Sequence, residues 1–249
     1  MKKLIFLLFV CVGLSAFAQN NKLFEEANAA YANEDYREAI SLYEQILKNG
    51  ETSADLHYNL GNAHYKLSHI APSIYHYEKA LQMDPGDEDV KNNLEFARNM
   101  AVDAIDEGPK EGFSDLFSRG TGLFTASGWG WIAIFGMLLF VVFFLAYYFS
   151  RRTLIKRIFF ICGMFFLLFA LSSAGIGAMK LWLDQESSFA IVFSEEADVK
   201  SEPNLGSTDV FQLHEGTKVK VTEDFQDWFE IELPNGNQGW MLKNELKRL

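Results

Sequence analysis

Cysteine is scarce in this sequence, and its scarcity excludes two kinds of chemistry. Only two of the 249 residues are cysteines. Cys11 lies in an apolar segment at the start of the chain, and Cys162 lies in a long apolar run near its middle. The polar regions therefore have no cysteine pair for an internal disulfide or for thiol redox chemistry. The cysteine and histidine spacings that bind metal ions are also missing, and we expect no cofactor.

Basic residues are outnumbered by acidic ones. The chain has 22 lysines and arginines against 33 aspartates and glutamates, for a net charge of −11. The acidic excess lies in residues 19–112 and 184–249. This balance argues against nucleic acid as a partner and against direct adhesion of these regions to anionic lipid. The simplest role of the acidic residues is to keep the two regions soluble.

Patterns typical of an enzyme are missing as well. We find no nucleophile–base arrangement, no paired acids and no phosphate-binding loop, and we predict that the protein is not an enzyme. Four histidines suggest a metal site at first. However, His57 and His64 are seven residues apart, as are His69 and His76. That spacing is about two helical turns, too far for neighbouring ligands of one ion, so we expect these histidines to serve packing.

Two long apolar runs are present, over residues 129–149 and 158–183. The first contains no charged residue and the second contains only Lys180, near its end. Each reaches the length of about 20 residues that a helix needs to cross a bilayer core. The alternative is a buried helical pair in a soluble protein, which is disfavoured because Phe and Leu occupy every face. Without ionisable groups in either core, the pair is expected to act as an anchor and not as a transporter.

The segment between these runs, residues 150–157, carries four basic residues and no acidic one. They are Arg151, Arg152, Lys156 and Arg157. Short cationic loops remain on the cytoplasmic side of a membrane. We therefore predict an inner-membrane hairpin with a cytoplasmic tip, and both flanking regions in the periplasm.

Residues 1–18 follow the three-part pattern of a signal peptide. Two lysines precede an apolar core, and Ala16 and Ala18 then form a small-x-small cleavage site before Gln19. An alternative is lipid attachment at Cys11, but large apolar residues precede that cysteine. The predicted export signal and the predicted hairpin agree on one topology.

The region after the signal contains an internal repeat with an offset of 34 residues. The units span residues 20–53 and 54–87, and each reads as two amphipathic helices joined by a short turn. Residues 60–67 (LGNAHYKL) and 80–85 (ALQMDP) carry the clearest pattern. This pattern resembles the tetratricopeptide repeat. A further helix over residues 89–105 is expected to cap the stack, and together these elements form an all-α domain over residues 19–105.

The resemblance to tetratricopeptide repeats implies a concave groove that holds an extended peptide. The matching groove positions are Phe24, Asn28, Tyr31, Tyr58, Asn59, Asn62, Tyr65 and Asn93. An asparagine amide can donate to and accept from a peptide backbone. For Tyr31 and Tyr65, packing of one repeat on the next is an equally open alternative. Two repeats form a short stack, so we expect a partner or the membrane to support them.

Residues 106–128 are predicted to be a linker with an interfacial helical segment, and residues 184–249 a small all-β domain. Short alternating segments and the turn signal Asn235-Gly236 predict a small closed barrel. Residues 199–203, 213–221 and 227–240 resemble the bacterial SH3-like domain, which implies binding of peptides or cell-wall stems. The candidate ligand-surface residues are Trp228, Phe229 and Trp240. Alternation places Trp228 and Phe229 on opposite faces, so at least one belongs to the core.

The order of signal, repeats, hairpin and SH3-like domain resembles the BatE-like membrane proteins of Bacteroides aerotolerance operons. That resemblance implies an envelope system with a MoxR-type ATPase and von Willebrand A-domain membrane proteins. We predict a non-catalytic scaffold that is anchored in the lipid bilayer and binds such proteins through its groove. The alternative is a tether that binds peptidoglycan through the SH3-like domain.

Overall fold

The structure is a computed structural model that describes residues 20–103, 120–186 and 188–249. The chain divides into two compact units. One combines Met1–Gly108 with Phe189–Leu249, and the other is Pro109–Ser188. The predicted signal peptide and most of the predicted linker lie outside the described residues. The predicted kinds of element are confirmed: a helical repeat region, two long apolar helices and an antiparallel sheet.

Five helices form the repeat region. They are α1 over residues 20–32, α2 Tyr36–Lys48, α3 Ala54–Lys66, α4 Ile70–Met83 and α5 Glu88–Arg98. The side chain of Ser53 caps α3 by accepting from the N–H of Leu56 at 3.1 Å, and Asp87 caps α5 in the same way. Each repeat has its own apolar cluster. The first contains Tyr43 and Leu60, and the second contains Tyr77 and Ile74.

The two repeats close their internal turns identically. Glu34 and Ser68, which are equivalent positions, have φ values of 65° and 59°. The next N–H in each turn reaches back to a helical carbonyl, from Asp35 to Ala30 at 2.9 Å and from His69 to His64 at 3.0 Å. This is the hydrogen-bond pattern of a Schellman motif, in which one left-handed residue ends a helix.

The capping helix is shorter than the predicted span of 89–105. It ends at Arg98, and residues 99–103 turn away from the helix axis. The change of direction brings the carboxylate of Asp103 to the N–H of His214 in the β-domain, at 2.7 Å. Soon after the end of this helix the chain therefore contacts a distant part of its own sequence.

Seven strands form one antiparallel sheet in the order β3-β2-β6-β5-β4-β1-β7. The strands are β1 Ser188–Val192, β2 Glu196–Lys200, β3 Asp209–His214, β4 Lys218–Phe225, β5 Trp228–Glu232, β6 Gln238–Leu242 and β7 Leu246–Arg248. Every strand contributes to a single core that includes Val199, Ile231 and Met241. A 3-10 turn, Lys243–Glu245, joins β6 to β7. The short β7, which pairs with β1, was missed.

The β-domain packs directly on the repeats, so that the first unit has a shared core. Ile191 of β1 is fully buried and belongs to the apolar cluster of α4 and α5. The ring of Phe193 meets that of Tyr75 edge-on, with centroids 5.9 Å apart. Gly216 has φ +90°, and a Cβ there would lie 2.9 Å from the Cδ1 of Ile74. Close approach and backbone conformation both require glycine at this contact.

The second unit is an antiparallel helical hairpin, α6 Ala126–Phe149 and α7 Thr153–Glu186. Small residues let the helices approach, since a Cβ on Gly136 would lie 3.2 Å from that of Ala170. Both helices are long and apolar enough to cross a membrane. The connection is shorter than the predicted 150–157, because α7 already begins at Thr153. Lys156 and Arg157 therefore lie in its first turns, where no Gly or Pro interrupts the helix.

Candidate functional site

The groove positions of the repeats are joined by a hydrogen-bonded ladder of asparagine and tyrosine side chains. The Oδ1 atom of Asn28 accepts from the hydroxyl of Tyr43 at 2.5 Å. The same oxygen accepts from the amide of Asn59 at 3.1 Å. Both donors come from later helices, α2 and α3. One asparagine of α1 therefore connects three successive helices.

The second repeat has the same arrangement. Oδ1 of Asn62 accepts from the hydroxyl of Tyr77 at 2.7 Å and from the amide of Asn93 at 2.9 Å. The Asn93 amide also lies 3.2 Å from the hydroxyl of Tyr58. Asn62, Tyr77 and Asn93 lie 34 residues after Asn28, Tyr43 and Asn59, so these two sets of bonds are equivalent. The ladder is thus built into the repeat and extends into the capping helix.

The ladder orients the amides of Asn28 and Asn62. Each Oδ1 faces two donors, so each Nδ2 faces away from them. Within the described part of the chain, neither Nδ2 group has an acceptor. Asn28 is exposed and Asn62 half-buried. The groove therefore presents a row of fixed N–H donors, which suits a ligand that brings carbonyl or carboxylate oxygens.

The tyrosines that hold the ladder remain protonated. Burial raises the pKa of Tyr43 to about 12. Burial also raises the pKa of Tyr77 well above its ordinary value. Both hydroxyls therefore act as donors at all physiological pH values, and the direction of each hydrogen bond in the ladder is fixed.

The aromatic groove residues are half-buried and contact neighbouring rings. Phe24 lies against Tyr43 with centroids 5.8 Å apart, and Tyr31 meets Tyr36 edge-on at 5.2 Å. Tyr58 packs near Tyr77 at 6.2 Å. Tyr65 packs against the apolar cluster of the second repeat. All four keep part of their surface accessible along the groove.

The structure brings the four histidines together in pairs that spacing alone did not suggest. The Nδ1 atoms of His57 and His76 are 2.9 Å apart, and those of His64 and His69 are 3.1 Å apart. The rings of His64 and His76 stack at 5.5 Å. Among the described residues, no group of three or more potential ligands is arranged to hold a metal ion. These contacts across the turn join α3 to α4.

Burial makes the histidine cluster resist protonation. It lowers the pKa of His57 and His64 to about 4, and that of His76 to about 2. The positive charges of Lys79 and Lys247 act in the same direction on His57 and His76. His57, His64 and His76 are therefore neutral near pH 7.

The three aromatic candidates of the β-domain have different environments. Phe229 is 7% exposed and belongs to the core cluster of the β-domain, as alternation predicted for at least one of the two β5 aromatics. Alternation along β5 explains the difference, because Trp228 faces the other way. Trp240 is half-buried and meets Phe225 edge-on at 6.3 Å. Trp228 is 7% exposed and lines a cavity of about 400 Å³.

The cavity at Trp228 is predominantly acidic. Its polar lining consists of Glu196, Asp198, Lys200, Gln212 and Glu245, and two leucines complete it. The ammonium of Lys200 is paired with Asp209, which lies outside the lining. Gln212 donates to Asp198 at 2.8 Å. Sequence patterns missed this cavity, because its lining comes from four strands, the loop that contains Leu205 and the 3-10 turn.

Two polar networks between the repeats and the β-domain were also missed. Asp103 accepts from His214 and Thr217. The buried carboxylate of Glu78 contacts Arg98 at 2.6 Å and Lys218 at 2.7 Å.

The strand that contains Ile191 carried a sequence signal for this interface, because residues 189–193 are continuously apolar and do not alternate. A continuous apolar strand is typical of a strand covered on both faces.

Comparison with known protein families agrees with both domains. Residues 24–88 match the tetratricopeptide repeat family. Residues 195–247 match the bacterial SH3 domain family. No curated protein matches the chain. The repeat match covers the asparagine–tyrosine ladder except its last member, Asn93, and the SH3 match covers the lining of the acidic cavity.

Proposed function

We propose that this protein is a non-catalytic, membrane-anchored scaffold whose repeat groove binds an extended segment of a partner protein. The asparagine–tyrosine ladder carries the proposal. Its Nδ2 groups at Asn28 and Asn62 recur with the repeat, on side chains whose orientation is fixed by four hydrogen bonds. An extended peptide offers backbone carbonyls at regular intervals, and prepositioned donors bind them at low entropic cost.

Membrane anchoring through the helical hairpin is the second part of the proposal. Apolar side chains such as Phe135, Leu168 and Trp182 are exposed along both helices, as expected for surfaces that face lipid. The repeats and the β-domain share a core, so they must lie on one side of a membrane, which an even number of spans allows. The basic residues between and just after the two helix ends, Arg151, Arg152, Lys156 and Arg157, support a cytoplasmic tip of the hairpin. They therefore also support a periplasmic location for both domains.

The proposed partners are von Willebrand A-domain membrane proteins of an aerotolerance or stress-related envelope complex. The order of the domains along the chain supports this assignment, through its resemblance to BatE-like proteins. Repeat and SH3 domains are both suited to binding proteins, which is consistent with such a complex.

Crosslinking and pull-down from native membranes test the groove. The double variant Asn28→Asp/Asn62→Asp keeps Oδ1 for the tyrosine donors but replaces each free N–H with a carboxylate oxygen. We expect it to lose most partner recovery, because donors become acceptors with negative charge. The control is Asn33→Asp/Asn92→Asp, which changes two exposed asparagines outside the ladder. Equal recovery with both double variants would contradict binding through the groove.

The second candidate function is a cell-wall tether that acts through the SH3-like domain. The family match of residues 195–247 and the cavity at Trp228 favour it. Full-length protein in an uncharged detergent would then sediment with purified peptidoglycan, and Trp228→Ala would reduce the bound fraction. If the protein stays in the supernatant, this function is eliminated and the scaffold proposal is unaffected.

A further inference from the structure

The tip of the helical hairpin carries a cavity that combines basic and apolar side chains. Its volume is about 470 Å³, and Tyr147 of α6 forms one wall. The rest of the lining comes from α7 and consists of Thr153, Lys156, Arg157, Phe160 and Ile161. These positions, i, i+3, i+4, i+7 and i+8, share one face of a helix. The polar members are nearest the tip, and the two apolar ones lie a turn deeper.

The two cations of this cavity have no anionic partner in the hairpin. Residues 120–183 contain no Asp or Glu, and the first acidic residue after them, Asp184, stands near the far end of α7. Among the described residues, no ion pair includes Lys156 or Arg157, and the hydroxyl of Thr153 has no hydrogen-bond partner. The cavity therefore gathers two cations and a hydroxyl whose binding capacity the hairpin leaves unused.

The wall formed by Tyr147 positions one of these cations. The ammonium of Lys156 lies 5.4 Å from the centroid of the Tyr147 ring, and that ring packs near Phe160 with centroids 6.0 Å apart. A cation–π contact orients an ammonium without using up its three N–H donors. Lys156 is therefore held at the cavity and can still donate to an anion.

We propose that this cavity binds an anionic phospholipid, with the phosphate diester between Lys156 and Arg157 and an acyl chain along Phe160 and Ile161. The inference rests on the proposed membrane anchoring and orientation, which place the cavity at the cytoplasmic surface of the bilayer. Basic pockets between membrane helices on that side bind anionic head groups. Phe160 and Ile161 are 57% and 66% exposed, as expected of side chains that contact lipid.

The lining favours an anionic lipid over a zwitterionic one and over free phosphate. The head group of phosphatidylcholine carries a cation, which Lys156 and Arg157 would repel and for which residues 120–183 offer no carboxylate. Phosphatidylglycerol has the same phosphate diester without that cation. Free phosphate would leave Phe160 and Ile161 uncovered. An anionic phospholipid therefore matches both the polar and the apolar part of the cavity.

The test is native mass spectrometry of the full-length protein in an uncharged detergent. The protein is titrated with phosphatidylglycerol or with phosphatidylcholine that has the same acyl chains. We expect one tightly bound phosphatidylglycerol per chain, and affinity for phosphatidylcholine about tenfold weaker. Lys156→Gln/Arg157→Gln should also weaken phosphatidylglycerol binding about tenfold. Detergent exposes both ends of the hairpin, so a changed orientation in the cell membrane would not affect the result.

The matched control is Arg151→Gln/Arg152→Gln, which removes the same formal charge at exposed positions outside the lining. It should leave the affinity within about twofold at physiological ionic strength, where exposed charges are screened. Equal losses in the two double variants, or equal binding of the two lipids, would overturn the proposal. Displacement of phosphatidylglycerol by inorganic phosphate at equal concentration would also overturn it, because the site would then recognise phosphate without the acyl chains.

An alkaline wash of native membranes separates failure of the lipid site from failure of the anchor. We expect the natural sequence and both double variants to remain in the membrane pellet. Release of the natural sequence into the supernatant would overturn the membrane anchoring. Retention in the pellet without preferential binding of phosphatidylglycerol would overturn the lipid site alone.

Discussion

Asp103 and His214 are joined by two hydrogen bonds, although 111 positions separate them in the chain. The backbone N–H of His214 donates to one carboxylate oxygen at 2.7 Å, and its ring Nδ1 lies 2.8 Å from the other. Thr217 adds a third bond at 2.6 Å. Burial alone would raise the pKa of Asp103, but these hydrogen bonds outweigh it and hold that pKa below its ordinary value. The Asp103 carboxylate therefore links the repeats to the β-domain through three hydrogen bonds.

Asp103→Asn should therefore destabilise the first unit. The amide puts a donor where the carboxylate accepted, and we expect a loss of about 1–3 kcal/mol, measured as a lower thermal midpoint by circular dichroism. Asp227→Asn, at an exposed position, should leave the midpoint unchanged. The depressed pKa means that the contribution of Asp103 is present above the unfolded pKa and fades as pH falls through the folded one. An unaltered midpoint in Asp103→Asn would show that the contact is not stabilising.

The ion pairs of Glu78 are expected to stabilise the interface between the repeats and the β-domain. Its buried carboxylate joins Arg98 of the repeats to Lys218 of the β-domain. Glu78→Gln removes the charge that both cations meet, and we expect a loss of about 1–3 kcal/mol, since the cations can reach solvent. Thermal unfolding measures it. Glu95→Gln, an exposed change on α5, is the control, and an equally small shift in both variants would exclude a stabilising role for Glu78.

The histidine cluster predicts destabilisation in mild acid. The folded pKa values of His57 and His64, about 4, lie below the ordinary value, so the unfolded chain takes up protons first. Stability is therefore complete above about pH 6.5 and falls as pH drops toward 4. His76 extends the loss to about pH 2. Urea unfolding monitored between pH 7.5 and 4.5 measures the trend.

His76→Gln isolates the contribution of the cluster from that of the carboxylates. The variant should be less stable at pH 7.5, because the contact with His57 is altered, but should lose less stability between pH 7.5 and 4.5. Asn92→Gln, a change at an exposed position outside the cluster, serves as the control. A fall of equal size in the natural sequence and in His76→Gln would assign the acid sensitivity to other groups.

The close contact between Gly61 and Tyr77 leaves no room for a larger side chain at position 61. A Cβ at this position would lie 2.6 Å from the ring of Tyr77, whose hydroxyl donates to Asn62. Gly61→Ala should cost about 1–3 kcal/mol through overpacking and should also weaken partner recovery by displacing the ladder. Gly175→Ala, in the helical hairpin, meets nothing within 4 Å and is the control. Unchanged thermal unfolding of Gly61→Ala would mean that Tyr77 moves aside freely.

Membrane topology predicts the outcome of reporter fusions. Alkaline phosphatase, which is active only outside the cytoplasm, should be active when fused after Glu107 and inactive when fused after Ser150. Replacing Arg151, Arg152, Lys156 and Arg157 with glutamine should reduce this asymmetry, because the cations retain the tip in the cytoplasm. The reverse activities, high after Ser150 and low after Glu107, would refute the proposed orientation.

The sequence predicted local structure well because the responsible signals are local. The 34-residue offset and residues 60–67 were sufficient to indicate helical repeats, and long apolar runs indicated the hairpin. The asparagines were placed in the groove by position alone. Their donors, Tyr43 and Tyr77, were not among the predicted groove positions, because their hydrogen bonds depend on how α2 and α4 pack against the groove helices.

Features that depend on distant contacts were not predictable in the same way. Asp103, which follows the end of α5, reaches the β-domain, and Phe229 lies in a core to which all seven strands contribute. The acidic cavity combines side chains from separate strands, with no spacing that links Asp198 to Glu245. Such sites depend on which strands become neighbours in the sheet. A sequence pattern identifies individual strands but not their neighbours.

The shared core has a consequence for the order in which the chain is synthesised. Ile191 completes the cluster that Ile74 and Tyr75 begin, but the ribosome reaches it only after both apolar helices have been made. Until then the repeats expose an apolar surface. Maturation of the first unit is therefore coupled to insertion of the hairpin, and a chain with a failed insertion step would present that surface to chaperones and proteases.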